Sequence, residues 1–187
     1  MISKLFIISG LFFVLFKTND SEKSSEIYWD QRHTITWNDF RNTDHLPGNE
    51  SAKISTGIQY SIKMENKTLF FVVRAFADKE NSFYIKKNKS DRLLKHEQGH
   101  FDICEIFARK LRKQLMVKTF KQKSLSSDAE EIYNQTIKEM NKFQHLYDKE
   151  TNHSIDTIMQ NKWNTKIAEM ISALEPYKSV KLNGKIQ

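Results

Sequence analysis

Between Ile54 and Met64 the chain alternates with a period of two. Ile54, Thr56, Ile58, Tyr60, Ile62 and Met64 fall on one side, with Gly57 and polar residues between them. Eleven positions of this pattern specify a strand buried on one face. Glu65-Asn66-Lys67 then makes a short turn, and Leu69, Phe71, Val73 and Ala75 resume the alternation, so 54–76 reads as a β-hairpin. A hairpin with one apolar face needs a second layer to cover it.

The second half of the chain supplies helices. The first is expected from about Asp91 to Lys118, with Ser90 as its N-cap. The second opens at a capping box, Ser127-Asp128-Ala129-Glu130, and continues through Ile132, Thr136, Met140, Phe143 and Tyr147 on one face. The third runs from about Ser154 to Leu174 with a stripe of Ile155, Met159, Trp163, Ile167, Met170, Ile171 and Leu174. Short strands are also expected at His33–Trp37 and Phe83–Ile85. The fold class is therefore α+β: an N-terminal antiparallel or mixed sheet packed on the first helix, followed by two further helices.

Residues 1–18 combine a lysine near the start with the apolar run Leu5–Phe16, the build of a signal peptide. The run is shorter than the roughly twenty residues that span a bilayer. No A-x-A cleavage pattern follows, so a cleaved signal and a short membrane tether both fit. Either places the chain in the secreted, periplasmic or cell-envelope space, and a tether associates it peripherally with the membrane. Residues 19–28 read as a polar linker, 29–175 as one domain, and 176–187 as a loose tail.

Composition removes several function classes. The glycines stand only at positions 10, 48, 57, 99 and 184, so no phosphate-cradling glycine loop exists. One cysteine, Cys104, excludes an intrachain disulfide and an all-cysteine metal site. The net charge of +7 comes from lysines scattered among acids, a solvated surface and not a nucleic-acid footprint.

His96-Glu97-Gln98-Gly99-His100 is an H-E-x-x-H motif inside the first helix. At about 100° per residue, the two histidines lie roughly 40° apart on one face, one turn apart along the axis. Both imidazoles reach one small cation from there, and Glu97 reaches a water on that cation without ligating it. This is the arrangement of a metallopeptidase: the ion polarises the scissile carbonyl and acidifies its water, and Glu97 takes the proton. Zinc is the ion favoured by imidazole ligands. For a third ligand the downstream candidates are His145, Asp148, Glu150 and His153, clustered where the second helix gives way to the third. Cys104, four residues after His100, reads as a small buried hydrophobe. Tyr147 reads either as a hydrogen-bond donor to the substrate oxyanion or as a core aromatic; His145 is a second donor candidate. Trp37 and Trp163 read as core aromatics. Asp148 or Asp102 is placed to orient a ligand histidine.

Three blocks then carry a resemblance. Leu93-Leu94-Lys95-His96-Glu97-Gln98-Gly99-His100-Phe101-Asp102 resembles the LL+HEQxHFD signature of a bacterial family of predicted secreted zinc-dependent proteases, catalogued as domain of unknown function nine hundred twenty-two. Trp37-Asn38-Asp39-Phe40 is similar to its W-x-DF block. Tyr147-Asp148-Lys149-Glu150-Thr151-Asn152-His153-Ser154, with Gln160 and Trp163, is similar to its YDxxTxHG…QxxW block. Arg41 stands where the family often has glycine after DF, and Ser154 where it usually has glycine after the late histidine. The resemblance, from Thr34 to Ile171, implies a zincin-like fold, His96, His100 and His153 as metal ligands, Glu97 as general base, and a peptide or protein substrate. In such folds an edge strand binds an extended peptide by strand addition. The competing expectation is a non-catalytic envelope module in which four protein ligands close around the metal.

Overall fold

The computed structural model describes residues 25–47 and 50–187. The expected signal or tether segment lies outside them. No helix among the described residues is long and apolar enough to cross a membrane.

The hairpin organises the sheet. Strand β3, Ala52–Glu65, turns back into β4, Thr68–Ile85. Asn66 and Lys67 both have positive φ, 49° and 64°, as a two-residue turn matched to strand twist requires. The expected strand at Phe83–Ile85 is the end of β4. Along the other side of β4 sit β1 (Glu26–Tyr28, antiparallel), β6 (Lys181–Ile186, antiparallel) and β2 (Arg41–Thr43, parallel). A two-residue strand, β5 (Thr119–Phe120), pairs in parallel with β6. Among the described residues the sheet is mixed and six-stranded. Among these residues β3 pairs with no strand but β4, and side chains bind some of its other backbone groups, as Tyr133 Oη does the Ile58 carbonyl.

Helix α1, Asp91–Val117, begins at Ser90, whose side chain accepts from Leu93 N. It lies between the sheet on one side and helices α2 (Leu125–Thr151) and α3 (Thr157–Ala173) on the other. Ile103, Ile106, Phe107, Leu111 and Leu115 of α1 pack with Phe71 and Val73 of β4, Tyr147 of α2 and Trp163 of α3. Trp37 and Trp163 are both buried in core clusters, as expected. Inside α1, Glu105 binds Arg109 and Arg112 at 2.9 and 2.8 Å, all three buried. Arg112 also donates to the carbonyls of Val73, Tyr177 and Lys178, tying the helix to the sheet and to the segment before β6.

Three expectations are corrected. The last residues of the supposed linker form β1, because Ile27 buries against the second core cluster. The supposed loose tail forms β6, with Leu182 buried and Gly184 pressed so closely on Leu69 and Phe71 that a Cβ would lie 2.6 Å from each. His33–Trp37 is not a strand. Ile35 and Trp37 are buried in alternation, yet Ile35 N donates to Gln98 Oε1 and Thr36 N to Asp39 Oδ2, so side chains replace a ladder. The start of α2 also differs: it opens at Leu125 after a short 3-10 turn.

One irregularity bears on the site. The β3–β4 register jumps from Lys53↔Phe83 to Ser55↔Asp78, so Lys79–Ser82 bulge out of the ladder. Opposite the bulge, Ser55 N donates to Ser82 Oγ and Ile54 N is turned to the Glu97 carboxylate.

Candidate metal centre

His96 and His100 meet at their Nε2 atoms, 3.2 Å apart, as helical spacing demands. Asp148, from the last turns of α2, brings Oδ1 to 3.1 Å from His96 Nε2 and 2.8 Å from His100 Nε2. These three are the described residues whose donor atoms gather within 4.8 Å, in the number and kind that suit a metal ion.

The outer nitrogens explain the orientation. His96 Nδ1 donates to Gln160 Oε1 at 3.0 Å, and His100 Nδ1 donates to Gln144 Oε1. Each glutamine is itself fixed. Gln144 Nε2 donates to the His100 carbonyl at 3.1 Å, and Gln160 Nε2 donates to the Tyr147 hydroxyl at 2.7 Å and to Asn164 Oδ1 at 3.0 Å. Amide oxygens on both Nδ1 atoms place the protons there and leave each Nε2 a lone pair. Two such lone pairs and a carboxylate oxygen repel one another at about 3 Å unless a cation or proton sits among them. A neutral-imidazole pair with one carboxylate is a zinc-type donor set, so the residues present fit the ion that the motif implies.

Electrostatics agree with this competition. Burial pulls the His100 imidazole down, but the Asp148 hydrogen bond and the charges of Glu97 and Asp148 outweigh it and raise its pKa. Burial opposes ionisation of Asp148 as well, but with protons filling the centre in place of a metal, the hydrogen bonds from His100 and His96 hold its carboxyl well below the usual range. Glu97 is 2% exposed. Desolvation raises its pKa against the lowering pull of both histidines and of the Ile54 N–H, which donates to Oε2 at 2.8 Å. Glu97, His96, His100 and Asp148 line one open cleft of about 610 Å³, with Ser51–Thr56 of the β3 side as a wall and His145, Lys149 and His153 on the α2 side.

Two expected site residues are placed differently. His153 is not in the donor cluster. Helix α2 stays continuous through Thr151 and ends in a left-handed run, Asn152, His153 and Ser154 at φ 47°, 51° and 75°. That turn carries His153 to the cleft rim, half-exposed, with Nδ1 3.7 Å from Asp148 Oδ1. Asp148, five residues earlier on the helix, takes the third position. Ser154 holds a backbone conformation that favours glycine, which accounts for the glycine of the resembling motif.

Tyr147 is fully buried and does not line the cleft. Its hydroxyl donates to the His96 carbonyl at 3.1 Å and accepts from Gln160, so it braces α1 and is not offered to a substrate. Gly99 is needed here, since a Cβ would lie 2.8 Å from Tyr147 Cζ. Glu150 accepts from Trp163 Nε1 at 2.8 Å and takes no part. Asp102 faces away and accepts from Trp29 and Gln98. Cys104 is buried, donates to the Gly57 carbonyl, and has its thiol pushed up to about 12 by burial, with the neighbouring Glu105 charge adding to it. The sequence reading missed Gln144 and Gln160. Gln144 stands four residues before Asp148, one turn away on the same helix face, which was a usable signal. Gln160 was quoted in a motif but given no role. Asp39 of W-x-DF is structural: Arg32 binds both its oxygens, at 3.0 and 2.6 Å.

A family model described as bacterial protein of unknown function (DUF922) matches residues 32–154. The match includes the W-x-DF block, the H-E-x-x-H helix and Asp148, while Gln160 and Trp163 lie beyond it. No curated protein and no solved structure matches the chain. With well over half its length matched, the chain belongs to the DUF922 family of bacterial proteins.

Proposed function

We propose that this protein is an exported zinc-dependent metallohydrolase that cleaves peptide bonds, with sheet and helix arranged as in zincins. One observation carries the proposal: His96 Nε2, His100 Nε2 and Asp148 Oδ1 converge, each imidazole turned by a glutamine, beside the buried carboxylate of Glu97. His96, His100 and Asp148 would hold the ion, which when bound supplies Lewis acidity toward a carbonyl oxygen and toward water.

The remaining work falls to the chain's own groups. Glu97 takes the proton of the attacking water and returns it to the departing amine; burial raises its proton affinity toward that task. Its contact with Ile54 N fixes one carboxylate oxygen and leaves the other for the water. The start of β3, which lines the cleft and pairs with no strand but β4, gives an extended peptide a strand to pair with. Exposed His145, on the cleft wall, is a donor within the site that Tyr147 is not.

A second reading has one observation in its favour. His153 Nδ1, 3.7 Å from Asp148, is near enough to join a four-ligand shell after a small turn movement, which would make the metal a structural staple. Glu97→Gln separates the two. Under the enzyme reading the variant keeps its zinc and loses hydrolysis of a fluorogenic peptide library, and wild-type activity disappears with a chelator and returns with zinc. Full activity in Glu97→Gln overturns the mechanism. Zinc-dependent stability without any hydrolysis favours the staple.

A further inference from the structure

A second cavity, about 560 Å³, adjoins the metal cleft, and the two share Ser51, Leu93 and His153 as wall. Three parts of the fold meet there: Ser51 leads into β3, Arg92 lies in the first turn of α1, and the left-handed turn follows α2. Arg92 is its one side chain of fixed charge, and no acid lines it among the described residues. The other five arginines are engaged. Arg32 binds Asp39, Arg74 binds Asp30, Arg109 and Arg112 bind Glu105, and Arg41 donates to the Glu80 carbonyl. The Arg92 guanidinium has no ion pair or hydrogen bond among the described residues. Arg92 stands four residues before His96, on the face of α1 that carries both histidines, and helical side chains lean toward the helix start. It therefore reaches away from the metal centre and into the second cavity.

The other polar groups suit an anion as well. Asn88 Nδ2 donates to Ser51 Oγ at 2.9 Å, which leaves the Ser51 hydroxyl proton for a further acceptor. The planar fork of a guanidinium matches the two oxygens of a carboxylate. One fixed positive charge balances one carboxylate, whereas a phosphoryl group brings close to two negative charges. Ile155, 63% exposed, gives the stem of an acidic side chain an apolar surface. We propose that this cavity is a subsite in which Arg92 binds a carboxylate of the substrate peptide, a proposal that rests on the peptidase reading above. A peptide paired with the start of β3 runs on toward Ser51. Ile54, whose N–H holds Glu97, lies three positions from Ser51, about 10 Å of extended chain. The carboxylate therefore belongs about three residues from the bond that is cleaved. An Asp or Glu side chain supplies it, or the C-terminus of the peptide.

The test uses zinc-loaded full-length protein and quenched fluorescent peptides that carry Glu or Gln at each position within about four residues of the cleaved bond. Glu should raise kcat/KM about threefold or more over Gln at one position, chiefly through KM. Arg92→Gln should abolish that preference, and Arg92→Glu should replace it with a preference for Lys. Peptides with a blocked C-terminus and an internal Glu, set against peptides with a free C-terminus and no acidic side chain, tell which carboxylate is read. If neither kind gains over its neutral counterpart, or if Arg92→Gln keeps the wild-type ratio, the subsite is overturned. Absence of all hydrolysis is a failure of the peptidase reading, and the subsite is then read by fluorescence polarisation with the same peptides. There the acidic peptides should still bind about threefold or more tightly than the neutral ones, with the margin lost in Arg92→Gln. Equal binding overturns the subsite.

Discussion

The phenol ring of Tyr147 lies nearly flat on the imidazole of His96, with centroids 4.6 Å apart and planes 19° off parallel. Together with the hydroxyl bond to the His96 carbonyl, this makes Tyr147 a brace for the proposed metal ligand. Tyr147→Phe keeps the stack and loses the hydroxyl. It should cost about 1–2 kcal/mol in urea unfolding, because the Gln160 amide loses an acceptor. Peptide hydrolysis should fall less than about tenfold, whereas loss of a true oxyanion donor costs about 100-fold or more.

Assignment of the third ligand is checked by a pair of variants. Asp148→Ala should weaken zinc more than about 100-fold, and His153→Ala less than about tenfold, in chelator competition. The reverse order would return His153 to the centre.

Zinc affinity should depend on pH with a definite sign. The His100 imidazole holds its proton to higher pH than usual, and the metal must displace that proton. Apparent affinity should therefore rise as pH rises toward and through the raised pKa, by about tenfold per unit for each proton displaced, then level off. Calorimetry in buffers of different ionisation enthalpy should register proton release below that pKa. A pH-independent affinity would contradict the arrangement.

The Glu105–Arg109–Arg112 cluster is expected to fail badly when its acid is removed. Glu105→Ala strands two buried guanidinium groups and should cost about 3–5 kcal/mol, seen as a lower urea midpoint.

Ser154, at φ 75°, stores backbone strain that glycine would not. Ser154→Gly should raise stability by about 1 kcal/mol, with a higher thermal midpoint and unchanged zinc content.

Much of this was legible from residues alone, for physical reasons that differ by element. The hairpin and α1 announce themselves because each buries one face of a long element, so their periods persist over many residues. β1 and β6 do not, since Ile27 and Leu182 contribute one buried side chain apiece and the rest of each strand's stabilisation comes from a partner distant in sequence. The histidine pair was readable because helix geometry fixes it locally. The choice between Asp148 and His153 was not, since it depends on where α2 stops, and three successive left-handed residues decided that. Gln160 was hidden for a related reason: its role exists only once α3 has folded back over α1.

Strand β6 pairs with the start of β4, Leu69–Val72, and Arg112 donates to the carbonyls of residues 177 and 178. That guanidinium therefore lacks two of its acceptors until residues more than sixty positions downstream have been made. A shorter nascent chain leaves that buried charge under-satisfied, a costly state that postpones close packing around it.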